Sequence, residues 1–193
     1  MSGDVEKLDG RRARTQRSRQ AFIDATLSLM EEGVLIPTAQ QISDRSGVNI
    51  RSFFRLFEDM ETLFAVIDEQ MRESNEELFL GGDREGTLQE RILHAVQHHA
   101  DGYELRRNVI LSTVAQLWRS ETLRKNYARY QRGLRRDLED WLPELKTLTS
   151  DQREAVDAIT SFEMWHRLRY HQGLSKKASI SVIVGAVQSQ FQE

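Results

Sequence analysis

A chain of 193 residues without a single cysteine has no disulfide frame, no thiolate metal site and no cysteine nucleophile to build on. Its two prolines, Pro37 and Pro143, leave 105 residues between them uninterrupted. Loop-rich and all-β folds use proline in their turns, whereas long helices exclude it. The net charge of −3 hides an asymmetry: residues 10–57 carry +4, residues 58–193 carry −5, and the first nine carry −2. A polyanionic partner is therefore expected at the front of the chain.

Residues 1–10 are polar and predict a disordered tail. From about Thr15 to Glu32, Phe22, Ala25, Leu29 and Met30 recur at helical spacing, and Gly33 supplies the stop. Thr38 followed three residues later by Gln41 is a capping box, which opens a short helix to about Arg45. Ser46-Gly47-Val48 predicts a tight turn, and a second short helix follows from Asn49 to Phe57. Ile42, Val48, Phe53 and Phe57 are spaced to share one small core. Two short helices joined through a glycine turn predict a helix-turn-helix.

Beyond Phe57 the helices lengthen. The pattern predicts helices over 61–79, 88–99 and 108–119, with breaks at LGGDREGT and near Gly102. An arginine-rich helix over 122–141 comes next, then a loop at Pro143–Thr149. One helix is predicted over 150–171, and after Gly173 a last one, capped by Ser175, runs to Phe191. The expected class is all-α with about nine helices: a three-helix helix-turn-helix domain over 11–60, then a helical ligand-binding and dimerisation domain over 61–193. No apolar run approaches the ~18 residues needed to cross a bilayer. MSGDVEKLDG has no apolar signal core, so a cytoplasmic protein without membrane contact is expected.

The second helix of a helix-turn-helix enters the major groove with its first residues toward the bases. Here it offers Asn49, Ile50, Arg51, Ser52, Phe54 and Arg55. Asparagine suits adenine, arginine suits guanine, and isoleucine suits a thymine methyl. At the start of the preceding helix, Thr38 is a candidate phosphate contact and Gln40 a further DNA-binding candidate. Arg11, Arg12 and Arg14 precede the first helix and are expected along the DNA backbone or in a minor groove.

The segment GVLIPTAQQISDRSGVNIRSFFRLFEDMETLFAVI, from Gly33, resembles the DNA-binding domain of TetR-family transcriptional regulators. The resemblance rests on Gly33, Thr38, Ile42-Ser43, Ser46-Gly47-Val48, Phe53-Phe54-Arg55-Leu56-Phe57 and Glu61 with Leu63, and covers about 50 residues. It implies a homodimer that reads a pseudo-palindromic operator, with an interface built from the last two long helices. Val156, Ile159, Ile180, Val184, Val187 and Phe191 form the matching apolar stripes. It also implies a small-molecule effector among the middle helices, for which His94, His98, Trp118, Tyr127, Phe162 and Trp165 are candidate contacts. The chain departs from the family pattern between Phe54 and Met60. Pro-Ser-Lys after the last phenylalanine is here Glu58-Asp59-Met60, the preceding tyrosine or histidine is Leu56, and Phe54 has no hydroxyl. Phosphate contacts are thereby lost, and DNA binding is expected to be weaker or to lean more on the arginine tail.

Catalytic patterns are weak. His94 and His98 share a helical face near Asp101, a spacing that suits metal but more often marks a polar face. Glu163 and His166 match half of a di-iron motif that has no second copy. Neither a phosphate-binding glycine loop nor a nucleophile elbow is present. No metal, no cofactor and no enzymatic activity are expected. The sequence reads as a DNA-binding repressor released from its operator by a small molecule. The alternatives are a helical interaction module of the same fold with weakened or lost DNA binding, and a small helical metalloenzyme.

Overall fold

The computed structural model describes the backbone of residues 2–192, and the side chains from residue 10 onward except that of Arg11. Among the described residues the chain is all-helical. In order the helices are α1 Ser2–Glu31, α2 Ala39–Ser46, α3 Ile50–Phe57, α4 Met60–Phe79, α5 Leu88–Val114 and α6 Glu121–Trp141. A 3₁₀ turn at Pro143–Thr147 precedes α7 Ser150–Thr160 and α8 Phe162–His166. A π turn over Arg167–His171 follows, and α9 Lys176–Ser189 closes the order.

Three helices begin with the same device. Thr38, Thr87 and Thr149 each accept the backbone N–H three residues on, and Gln41, Glu90 and Gln152 reach back to the threonine N–H. Each box satisfies two donors that a helix start leaves open.

The elements depart from expectation in four places. Helix α1 starts at Ser2 rather than near Thr15, so residues 2–10 continue the helix where a disordered tail was expected. Residues 2–14 hold Glu6, Lys7, Leu8 and Ala13 with arginines and no proline, a composition that sustains a helix. Helix α5 is one helix of 27 residues, not two. Gly102 does not break it. A Cβ at Gly102 would lie 2.4 Å from the Phe79 ring, so the glycine is a packing position that lets α4 and α5 approach. The predicted helix over 150–171 is interrupted at Ser161. There the backbone turns extended (φ −68°, ψ 161°), and the hydroxyl accepts the Met164 N–H to start α8. Its last turn, Arg167–His171, widens to π geometry.

The chain divides into two compact units. The first comprises Met1–Arg72 with Arg107–Tyr127, and the second Glu73–Arg106 with Ala128–Glu193. Both are assembled from separated stretches.

The first unit's core is Phe22, Ile23, Ala25 and Leu29 of α1, Ile42 of α2, Phe53 and Phe57 of α3, and Leu63 and Ile67 of α4. The Phe22 ring meets Phe53 at 5.4 Å and Phe57 at 6.0 Å, both edge to face, a favoured geometry for aromatic pairs. The second unit packs Ile92, Val96 and Tyr103 of α5, Leu138 and Trp141 of α6, Val156 of α7, Phe162 and Trp165 of α8, and Ile183 and Val187 of α9, all buried. Helix α7 lies against both α8 and α9. No described helix is long and apolar enough to cross a membrane.

Candidate nucleic-acid interface and ligand cavity

Helices α2 and α3 form a helix-turn-helix whose turn depends on Gly47, which adopts the left-handed conformation (φ 68°). Asn49 caps α3, with its Oδ1 accepting the Arg51 N–H at 2.8 Å. The cap engages the amide oxygen and leaves the amide N–H₂ available. Phe53 and Phe57 point into the core, which places Arg51, Phe54, Arg55 and Glu58 on the outer face of α3. Phe54 is 52% exposed and leans edge-on against the Phe53 ring. Arg51 and Arg55 have no ion-pair partner among the described residues and project as free cations.

The other DNA candidates fall into three groups. Arg12, Arg14 and Gln40 are exposed, and Gln40 donates to Asp44. Ile50 and Ser52 are half-buried at the start of α3. Thr38 is exposed, but its hydroxyl serves the capping box, accepting from the Gln41 N–H and donating to Gln41 Oε1. The Arg11 side chain lies outside the described residues.

Two other basic residues of the front segment are engaged elsewhere. Arg19 lies over the Phe57 ring at 5.0 Å. Arg45 grips Glu32 with two nitrogens, at 2.6 and 2.7 Å, and reaches Ser28. The Arg45 hydrogen bond holds the Glu32 carboxyl below the usual carboxylate range. The pair ties the end of α2 to the end of α1.

The junction between α3 and α4 is strained. Glu58 has φ 62° and ψ −53°, the one positive φ among the described non-glycine residues. The Asp59 N–H reaches back to the Phe57 carbonyl at 2.5 Å, which makes the rarer, positive-φ form of γ-turn. Asp59 then caps α4, its Oδ1 accepting the Thr62 N–H at 2.8 Å, and that bond holds its carboxyl below the ordinary range.

Three residues brace this unit in a role that the sequence pattern did not show. Asn108 donates to the Glu31 carbonyl at the end of α1 (2.6 Å), and Ser112 donates to the Leu35 carbonyl of the α1–α2 loop (2.9 Å). Glu61 accepts the Thr122 N–H at the start of α6 (2.9 Å). Burial works to raise Glu61, but hydrogen bonds from Ser120 and Thr122 outweigh it and lower its pKa. The first two partners lie 77 residues apart in sequence, so no local pattern could have revealed them.

The second unit holds a cavity of about 210 Å³. His99 and Tyr103 line it from α5, Gln131 and Leu134 from α6, Asp157, Ala158 and Thr160 from α7, with Ser161 beyond. Behind it Asp137 is buried among four donors: His99 Nε2, Arg84, the Gly81 N–H and Trp141 Nε1. Burial opposes ionisation of Asp137, yet bonds from His99 and Gly81 hold its pKa below the ordinary value.

The six residues expected to line a pocket do not meet at this cavity. Trp118 is 78% exposed and, like Tyr127, belongs to the first unit. Phe162 and Trp165 are buried core. His94 lies more than a turn before His99 on α5, and His98, next to His99 in sequence, is not among the residues that line the cavity. Of the expected dimer stripe, Val156 and Val187 are fully buried within their own subunit, because α7 and α9 pack on each other. Ile159, Ile180, Val184 and Phe191 are half-buried, and Val182, which was not anticipated, is 47% exposed.

This all-helical arrangement is that of a helical regulator fold. A transcriptional regulator from Rhodococcus sp. Rha1 superposes on 92% of this chain and 96% of its own, at a TM-score of 0.65 and 14% identity. At that identity the likeness is one of fold. No protein-family model matches the sequence, and no curated protein does.

Proposed function

We propose that the protein is a transcriptional regulator of the TetR type, a cytoplasmic homodimer that binds double-stranded DNA through α2 and α3. The observation that carries this reading is the outer face of α3, where Arg51 and Arg55 stand uncompensated beside a free Asn49 amide, on a helix pinned from behind by Phe53 and Phe57. Arginine reads guanine edges and grips phosphates, and a pinned helix presents both without reorganisation. Two such helices in a symmetric dimer read a pseudo-palindrome. The dimer contact is assigned to the outer face of α9 around Val182, with the half-buried Ile180 and Val184. The cavity beside His99 and Asp157 is assigned to a small-molecule effector whose binding lowers DNA affinity, which makes the protein a repressor released by its ligand.

The strained Glu58-Asp59 junction favours a second reading, a helical interaction module of the same fold that has lost DNA binding. Selection of genomic fragments on the purified protein separates the two. The regulator enriches a palindromic site, and the interaction module enriches none.

A further inference from the structure

The hydrogen bonds around the cavity fix which kind of ligand it can satisfy. Tyr103 donates its hydroxyl proton to the Thr160 carbonyl at 3.1 Å. Thr160 donates to the Val156 carbonyl at 2.9 Å, and Ser161 donates to the Ala158 carbonyl at 2.7 Å. Each hydroxyl has one proton, so none of the three has a donor left for a ligand. His99 directs Nε2 to Asp137, so that nitrogen is not free for a ligand. Asp157 adds a carboxylate. Besides His99, Gln131 is the one lining side chain with N–H groups to offer, and no lysine or arginine lines the cavity.

The charge balance agrees. Arg135 is the cation nearest Asp157, at 3.9 Å, but it is bound two-pronged to Glu154 at 2.6 and 3.0 Å and lies 3.8 Å from Glu139. One guanidinium thus serves three carboxylates. Burial, with the neighbouring Glu154 and Glu139, raises the Asp157 pKa, as expected for an anion short of a counter-charge.

We propose that the cavity binds a small organic cation rich in N–H donors, an amine or amidine, with Asp157 as its counter-ion. Tyr103 and Leu134 supply apolar wall for its carbon skeleton. The volume lies below the roughly 300–1,000 Å³ of sites for drug-sized ligands, so the ligand is small. This inference rests on the effector reading of the cavity, but its test does not involve DNA.

Calorimetry on the full-length protein should compare benzamidine, benzylamine and putrescine with their uncharged and anionic counterparts benzyl alcohol, butanediol and benzoate. Saturable binding is expected for at least one cation and for neither alcohol nor benzoate. Asp157→Asn should weaken that cation about tenfold or more. Glu154→Gln, which frees Arg135 to pair with Asp157, should also weaken the cation, though by less than Asp157→Asn does. Binding of benzoate as tight as that of the cations would overturn the proposal, as would an unchanged affinity in Asp157→Asn or no saturable binding of any cation up to millimolar concentration. Enrichment of a DNA site alongside failure here would refute only the ligand assignment. Cation binding without DNA enrichment would refute the regulator reading and leave this one standing.

Discussion

The Asp59 N–H closes a 2.5 Å hydrogen bond onto the Phe57 carbonyl, and Glu58 is forced to φ 62° between them. The turn ends α3 abruptly and lets Asp59 cap α4 two residues later. A side chain at this φ costs energy that glycine does not. Glu58→Gly should therefore stabilise the protein by about 1 kcal/mol, the strain relieved outweighing the entropy gained by the unfolded chain. Urea unfolding measures it, and a loss of stability would show that the turn is not strained.

The arginine tail should carry much of the phosphate contact. Removing residues 1–14 deletes Lys7, Arg11, Arg12 and Arg14. The slope of log affinity against log salt for a selected DNA fragment should fall by about 2–3 units. An unchanged slope would assign phosphate binding to other cations. Because the helix already runs from Ser2, the truncation shortens α1 without reaching Phe22 and the core.

Gly102 should resist the substitution that helix propensity favours. Alanine in a helix interior is about 1 kcal/mol better than glycine. Here its Cβ would lie 2.4 Å from the Phe79 ring. Gly102→Ala is expected to destabilise by about 1–3 kcal/mol, and pairing it with Phe79→Leu should recover most of the loss. Thermal unfolding of the single and double variants checks both signs.

His98 should make stability sensitive to mild acid. Burial first, then the neighbouring His99, lowers its pKa in the folded protein. A depressed value means that the folded state takes the proton less readily than the unfolded chain. Its contribution is thus complete above the unfolded pKa of about 6.5 and is lost as pH falls below it. His98→Gln should lose less stability than the parent between about pH 7 and pH 5.5, as read from urea midpoints across that range. A parallel fall in both proteins would place the titration elsewhere.

What could be read from the sequence was local. The capping box at Thr38, the glycine turn and the Phe53–Phe57 spacing are short-range signals, and each lies where the pattern put it. The helical class followed from the 105 residues between Pro37 and Pro143 that no proline interrupts. Gly102 misled because glycine marks either a break or a close approach, and only the Phe79 ring decides between them. The cavity is lined by His99 rather than His98, because helical spacing gives faces but not which face the opposing helices cover. Val156 and Val187 look like interface residues in a stripe and prove to be core, since a stripe does not say which helix covers it. Asn108, Ser112 and Glu61 brace the first unit from a distance that no window spans.

The most direct test compares three arginines on one selected DNA fragment by fluorescence anisotropy across a salt series. Arg51 and Arg55 stand free on the outer face of α3, whereas Arg45 is bound to Glu32. Arg51→Ala and Arg55→Ala should each weaken binding by about tenfold or more, and one of them should relax the sequence preference at a single base position. Arg45→Ala should leave both affinity and salt slope nearly unchanged. Equal losses at all three positions, or none at Arg51 and Arg55, would contradict the assignment of α3 as the helix that reads DNA.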